Sequence, residues 1–234
     1  MKLEIDGRPV PAAPGQTVLE AARAAGIVIP TLCYHPDLSP AGSCRLCLVW
    51  DERLGRETAA CKLPAVAGMS IRTSTPAIVA HRRLVLRLLL AGYQHDPRAD
   101  DRSNELLHWA RAYGVEMLSP AAVAPRFPID SDPSPVIRVN WNQCILCTRC
   151  IRACAEVQGR FVWHLAERGH RAHIVAGTGQ TMEAARCEAC GACAAYCPTG
   201  ALADRNALAR PAAERLVRTT CGYCGVGCQF DLNV

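Results

Sequence analysis

Two copies of a single cysteine pattern constrain what this chain can fold into. "CILCTRCIRAC" and "CEACGACAAYC" both read C-x₂-C-x₂-C-x₃-C, giving Cys144, Cys147, Cys150 and Cys154, then Cys187, Cys190, Cys193 and Cys197. Three cysteines at x₂ spacing let a short loop wrap three corners of an iron–sulfur cubane. The fourth lies on the chain leaving the loop and points toward the other cluster. The spacing therefore predicts two crossed [4Fe–4S] sites. One takes Cys144, Cys147, Cys150 and Cys197; the other takes Cys187, Cys190, Cys193 and Cys154. A structural zinc site needs only two C-x₂-C knuckles and gives no reason for the triple spacing. Proline follows Cys197 but not Cys154, a departure that leaves the ligand count intact.

The other cysteines form a set of four and a set of three. Cys33, Cys44, Cys47 and Cys61 are separated by 10, 2 and 13 residues. A [2Fe–2S] site of the plant type uses C-x₄-C-x₂-C and a distant fourth cysteine, so the first gap here is longer than that pattern. A structural zinc site is the alternative for this set. Near the C-terminus "CGYCGVGC" supplies Cys221, Cys224 and Cys228. A four-ligand site needs one more ligand, so this triad is expected to be an incomplete [4Fe–4S] site whose fourth cysteine lies beyond residue 234, metal-free in the isolated chain.

Fifteen cysteines in a small secreted protein would suggest a disulfide framework. Here "MKLEIDGRPV" has no apolar signal core, and the longest apolar stretch, "LVLRLLLAG", is broken by Arg87. That stretch is far too short for a bilayer, so no membrane insertion is expected. A reducing cytoplasm, where clustered thiols serve as metal ligands, is the expected location. The net charge of +5 is almost wholly arginine, since Lys2 and Lys62 are the only lysines. Scattered arginines and an aromatic content of 5% do not make a nucleic-acid surface. Three Cys₄ clusters would bring the net charge to about −1.

Along the chain, residues 1–75 read as a small α+β domain. Asp6-Gly7 suits the tight turn of a hairpin, and "TVLEAARAAG" is a helix with Thr17 and Glu20 at capping-box spacing and Gly26 at its end. "IVIP", "LCLVW", "ETAAC" and "SIRT" are strand candidates, an order that suggests a β-grasp ferredoxin domain. Residues 76–118 form a helical spacer. Pro76 opens "AIVAHRRLVLRLLLAG", with Arg83 and Arg87 on one polar side and the rest expected to pack on several sides; "NELLHWARAYG" follows. Residues 119–135 carry five prolines and read as an extended linker crossing a surface. Residues 136–204 hold the two-cluster ferredoxin-like domain, 205–217 a helical or irregular connector, and 218–234 the start of another domain.

Residues 1–75 and 136–204 together resemble the iron–sulfur modules of the complex I large peripheral subunit, iron-only hydrogenases and NAD-linked formate dehydrogenases. "PTLCYHPDLSPAGSCRLCLV" is similar to their [2Fe–2S] loop. "RTTCGYCGVGC" is similar to the start of the molybdopterin-dependent catalytic domain of molybdenum or tungsten formate dehydrogenases. The resemblance implies an α+β iron–sulfur protein with one [2Fe–2S] and two [4Fe–4S] clusters. It further implies a fourth cluster and molybdopterin only with a downstream domain, a flavin/NADH-binding subunit as partner, and a molybdopterin catalytic domain or subunit as acceptor. Members of these families carry a further cluster on His-x₃-Cys-x₂-Cys-x₅-Cys. Here His95 is followed by Ala99, Arg102 and His108, so that cluster is expected to be absent and the site degenerate.

The remaining candidates are weaker. His35 in the [2Fe–2S] loop is unnecessary beside a full Cys₄ set. Arg45, Arg149 and Arg186 flank cysteines and default to solvated arginines. "GTGQT" lacks the lysine of a phosphate loop. No nucleophile–base pair is present, so the chain is expected to move single electrons and to hold no catalytic centre. The alternatives are a stand-alone diaphorase-type subunit of an NAD-reducing hydrogenase or NADH dehydrogenase, and a zinc-stabilised interaction protein.

Overall fold

The structure, a computed structural model, describes residues 1–96, 104–117, 124–206 and 214–234. Its first layer is a five-stranded mixed sheet. β1 (Lys2–Ile5) and β2 (Arg8–Pro11) form a hairpin whose turn residues Asp6 and Gly7 have φ of 51° and 75°. β3 (Leu48–Asp51), β4 (Arg56–Ala59) and β5 (Ser70–Arg72) complete the order β2-β1-β5-β3-β4, with β1 parallel to β5 and the other pairs antiparallel. Helix α1 (Val18–Ala24) begins at Thr17 with both halves of the capping box made to Glu20. Its buried face, Val18, Leu19, Ala21 and Ala22, packs with Leu3, Ile5, Val49 and Ile71 of the sheet.

The expected strand "IVIP" is not one. Residues 27–30 run as coil, with Ile29 buried and Ile27 packed against the same core. These apolar side chains anchor the start of the Cys33 loop instead of pairing with a neighbouring strand.

Helix α2 (Pro76–Ala91) has Thr75 as N-cap and proline at its first turn. It buries one face, Ile78, Arg82, Leu86 and Leu90, at the i, i+4 spacing of a helix stripe. Leu84 and Leu88 are exposed, which corrects the expectation of packing on several sides. The buried arginine was not among those expected to matter. Arg82 donates to the carbonyls of Leu46 (3.1 Å) and Leu48 (2.7 Å) and to the Tyr113 hydroxyl (2.9 Å), which ties α2 to the Cys44–Cys47 turn.

Helix α3 (Glu105–Ala112), capped by Asn104, joins α2 in a core that also takes Leu32 and Leu46 from the first domain and Ile145 from the next. The spacer is therefore wedged between the two cysteine-bearing halves.

The second half is built from two small antiparallel ribbons, β6 (Ile137–Val139) with β9 (Leu202–Asp204), and β7 (Trp163–Ala166) with β8 (His173–Ala176). Short helices α4 (Arg149–Arg152) and α5 (Ala192–Ala195) follow the cysteine loops, and a π-type turn at Ala153–Val157 extends α4. The described part of the proline-rich stretch is not a free crossing. Arg205 holds both carboxylate oxygens of Asp130 and the Ser134 carbonyl, and the Asn142 side chain accepts from Arg126 and Phe127 N–H groups. A last hairpin, β10 (Leu216–Thr220) with β11 (Gln229–Asn233), presents the C-terminal cysteines in its loop. Among the described residues no helix is long and apolar enough to cross a membrane.

Candidate metal centres

The first set of cysteines is arranged two by two. Cys33 shares a thiol hydrogen bond with Cys44, and Cys47 with Cys61. The bond from Cys44 pulls the Cys33 thiol well down, to about 4, and the bond from Cys47 lowers Cys61; the donors Cys44 and Cys47 are pushed up by the same bonds and by burial. Within each pair one thiol is eased toward the thiolate form that a metal ligand takes, and cluster binding would ionise the other as well. Two pairs of sulfurs match a two-iron rhomb, in which each iron takes two terminal thiolates. The turn between Cys44 and Cys47 needs Arg45 at φ 56°, a left-handed conformation that costs a non-glycine residue about 1 kcal/mol.

The repeated motif gives two loops of the same shape. Leu146 and Ala189, at equivalent positions, have φ of 53° and 52°, and Thr148 and Gly191 have φ of 59° and 77°. In both loops the residue two after the first cysteine donates its N–H to that sulfur at 3.4 Å. Val162 N–H likewise meets the Cys154 sulfur at 3.3 Å. Backbone N–H groups aimed at sulfur, held by three strained non-glycine residues, form a cradle suited to negative thiolates.

Cys144, Cys147, Cys150 and Cys197 line one enclosed cavity together with Trp141 and Thr199. The fourth member comes from the other motif. Burial pushes the Cys144 and Cys147 thiols up to about 12 and Cys150 well above its ordinary value, with neighbouring thiols adding to each. Around the second centre, burial pushes Cys193 to about 12, countered by a hydrogen bond with the Trp163 side chain and reinforced by Cys187, Cys190 and Cys154. Cys154 also acts on Cys187. Each loop of three is therefore accompanied by the distant cysteine of its partner motif. No three His, Cys, Asp or Glu among the described residues close around a point as a single ion requires. The donor chemistry, all thiol, suits iron–sulfur clusters.

The third group behaves differently. Cys221 is half-buried while Cys224 and Cys228 are exposed, in a hairpin loop flanked by Tyr223 and Val226 in solvent. Cys221 N–H bonds the Cys228 carbonyl, which closes the loop.

Other sequence candidates divide. Arg45 and Arg186 are exposed, as their default reading has it. Arg149 is buried at 3% exposure, which corrects the solvated reading. It donates to both oxygens of Glu105 and to the Tyr34 carbonyl. His35 packs edge-on against Tyr196, centroids 4.6 Å apart, at the junction of the halves. His95 is half-buried and His108 exposed; Ala99 and Arg102 lie outside the described residues.

Sequence reasoning missed Arg152, Trp163, Gln143 and Tyr196. Tyr196 donates to Asp37, and Glu156 accepts from both N–H and Oγ of Ser39, so the Cys33–Ser39 segment is bonded along its length to the ferredoxin-like half.

A family of 2Fe-2S iron-sulfur cluster binding domains matches residues 1–76, and the ferredoxin-like domain of NADH-quinone oxidoreductase subunit 3 matches residues 134–203. An NADH-quinone oxidoreductase subunit of Rhizobium meliloti is 39% identical over 243 residues, covering 100% of this chain and 28% of the relative. The alpha subunit of the NADPH-Fe(3+) oxidoreductase of Geobacter sulfurreducens is 32% identical over 237 residues, again covering 100% of this chain and 28% of the relative. The chain thus spans 28% of the length of these curated relatives. Among solved structures, a chain of a NAD+-reducing [NiFe]-hydrogenase in the H2-reduced state superposes with a TM-score of 0.77 at 34% identity, over 92% of each chain.

Proposed function

Because the chain belongs to the family of iron–sulfur subunits that includes those of NADH-quinone oxidoreductase and the mitochondrial 78 kDa subunit, we propose that it relays single electrons from an NAD(P)H-oxidising partner to an acceptor subunit. We assign a [2Fe–2S] cluster to Cys33, Cys44, Cys47 and Cys61. One [4Fe–4S] cluster goes to Cys144, Cys147, Cys150 and Cys197, and another to Cys187, Cys190, Cys193 and Cys154. Bound there, the clusters supply reversible one-electron carriage at potentials that hydrogen bonds to sulfur, charge and burial adjust. The chain supplies the thiolates and the N–H groups of Leu146, Ala189 and Val162 that stabilise them. It also buries Cys33, Cys47, Cys61, Cys147, Cys150, Cys154 and Cys193, while Cys190 stays exposed.

The observation that carries this reading is the meeting of Cys144, Cys147 and Cys150 with Cys197 in one cavity. A flavin-bearing subunit as donor follows from the redox class of the relatives, since NAD(P)H gives up two electrons together and one-electron carriers need a splitting group. Anaerobic reconstitution tests the assignment. About ten irons per chain with equal sulfide are expected; a colourless protein with stoichiometric zinc would defeat it.

A second reading rests on the hairpin triad. Cys221, Cys224 and Cys228 at C-x₂-C-x₃-C spacing favour a molybdopterin-type acceptor such as that of formate dehydrogenase, with the triad as part of a further [4Fe–4S] site. Adding a co-purified acceptor subunit should then raise the iron count by about four, and Cys224→Ser should abolish that rise.

A further inference from the structure

Arg152 stands between Cys150 and Cys154 in the first motif and is 9% exposed. Its guanidinium is spent on backbone carbonyls. Nη1 donates to the Ser39 carbonyl at 2.5 Å, and Nη2 donates to two oxygens at once, Cys33 at 2.6 Å and Cys147 at 3.1 Å. Cys33 belongs to the first cysteine set and Cys147 to the second, and 113 residues of sequence separate the two cysteines. A single nitrogen thus joins the peptide groups of two thiol ligands at different centres.

Three carbonyl partners neutralise none of the positive charge, and Nε has no partner among the described residues. Burying an uncancelled guanidinium is unfavourable unless negative charge lies nearby. The carboxylate closest in connectivity, Glu156, is engaged by Ser39 N–H and Oγ on the surface. Together with those Ser39 hydrogen bonds, Arg152 helps hold the Glu156 carboxyl below its ordinary range, and thiolates ionised by cluster binding at the two sites would add negative charge beside the guanidinium.

We propose that Arg152 is the positioning residue of electron exchange between the Cys33 centre and the Cys147 centre. It fixes their spacing through the shared Nη2 bridge and favours the reduced state of both. The proposal rests on the relay reading above. The step it serves is balanced: one electron leaves the first site as one arrives at the second, and no atom or proton is transferred. Positive charge beside both sites stabilises the added electron in either place. The hydrogen-bonded path through Cys33 C=O, Nη2–H and Cys147 C=O gives a continuous contact between them.

The test uses the full chain, reconstituted anaerobically, with three variants and with dithionite as reductant. Iron content and low-temperature EPR come first; if the wild-type protein holds no iron–sulfur signals, the relay reading itself fails. With clusters present, Arg152→Gln should lower the midpoint potentials of the [2Fe–2S] signal and of the cubane at Cys144, Cys147, Cys150 and Cys197. It should also weaken their mutual spin relaxation. Arg152→Lys keeps the charge and loses the forked bridge, so the potentials should stay near wild type while the relaxation coupling weakens. Arg186→Gln removes an exposed arginine beside Cys187 and should change neither. Unchanged potentials and coupling in Arg152→Gln would overturn the proposal, as would equal shifts in Arg186→Gln. Failure of both Arg152 variants to take up iron would make the residue merely structural and overturn it as well.

Discussion

Arg149 grips both carboxylate oxygens of Glu105, so the first turn of α3 is held against the first cysteine loop by a two-pronged ion pair. The arginine is buried while the glutamate is partly exposed, at 39% of its side chain. Removing the acid therefore strands a buried cation that keeps its bond to the Tyr34 carbonyl. Glu105→Ala should destabilise the protein by about 2 kcal/mol, the range of a hydrogen bond to a charged group, measured by chemical denaturation. A change within about 0.5 kcal/mol would show the pair to be as weak as an ordinary surface bridge.

Helix α2 offers a paired test of its orientation. Leu86 is fully buried in the core shared by the two halves, whereas Leu88 is 67% exposed. Leu86→Ala should cost about 2–5 kcal/mol, the lost transfer energy plus the cavity. Leu88→Ala should fall within about 0.5 kcal/mol of wild type. Similar losses at the two positions would mean that the outer face of α2 is covered.

The metal-free protein should lose stability at high pH. Burial lifts the Cys144, Cys147 and Cys193 thiols to about 12 from an ordinary value of 9.0. Below pH 9 folded and unfolded chains both keep these protons. Between 9 and 12 the unfolded chain gives them up while the folded one retains them, so rising pH favours unfolding. Thermal melts of the metal-free chain should show Tm falling across that window. Cluster-loaded protein, whose thiolates are already ionised, should lack this fall.

The degenerate site around His95 should bind no iron. A cubane there would have no thiolate and at most the imidazoles of His95 and His108, since Ala99, Arg102 and His108 stand at the positions where cysteines would be needed. His95→Ala should leave iron content and EPR unchanged. Loss of about four irons per chain would point to ligands from another subunit.

The cysteine sets were legible because ligand spacing is a local property: x₂ gaps fix how a loop can turn around a cluster whatever surrounds it. The capped helix at Thr17 and the Asp6-Gly7 turn were legible for the same reason. What escaped were the residues whose role depends on distant chain. Arg82, Arg149 and Arg152 look like surface residues in sequence, yet each is buried on carbonyls that arrive from elsewhere in the fold. "IVIP" has strand composition, but among the described residues no strand pairs with it. Leu84 and Leu88 failed for the opposite reason, because an apolar run does not say which of its faces meets a neighbour.

The crossing of the two motifs can be separated from simple proximity. Cys197 comes from the second motif yet shares its cavity with Cys144, Cys147 and Cys150 of the first. The Thr199 hydroxyl meets the Cys197 sulfur, and the Thr199 carbonyl accepts from the Tyr93 hydroxyl and the Asn104 side-chain amide, so the ligand is held by the spacer as well. Cys197→Ala should therefore disturb the EPR signal and potential of the centre built on the first loop and lower iron by up to about four atoms. The centre built on Cys187, Cys190 and Cys193 should keep its signal, because the proposed assignment gives it Cys154 as fourth thiol. Cys154→Ala should give the reverse pattern. If Cys197→Ala disturbed only the Cys187 centre, each motif would hold its own cluster, and the exchange of fourth ligands would be wrong.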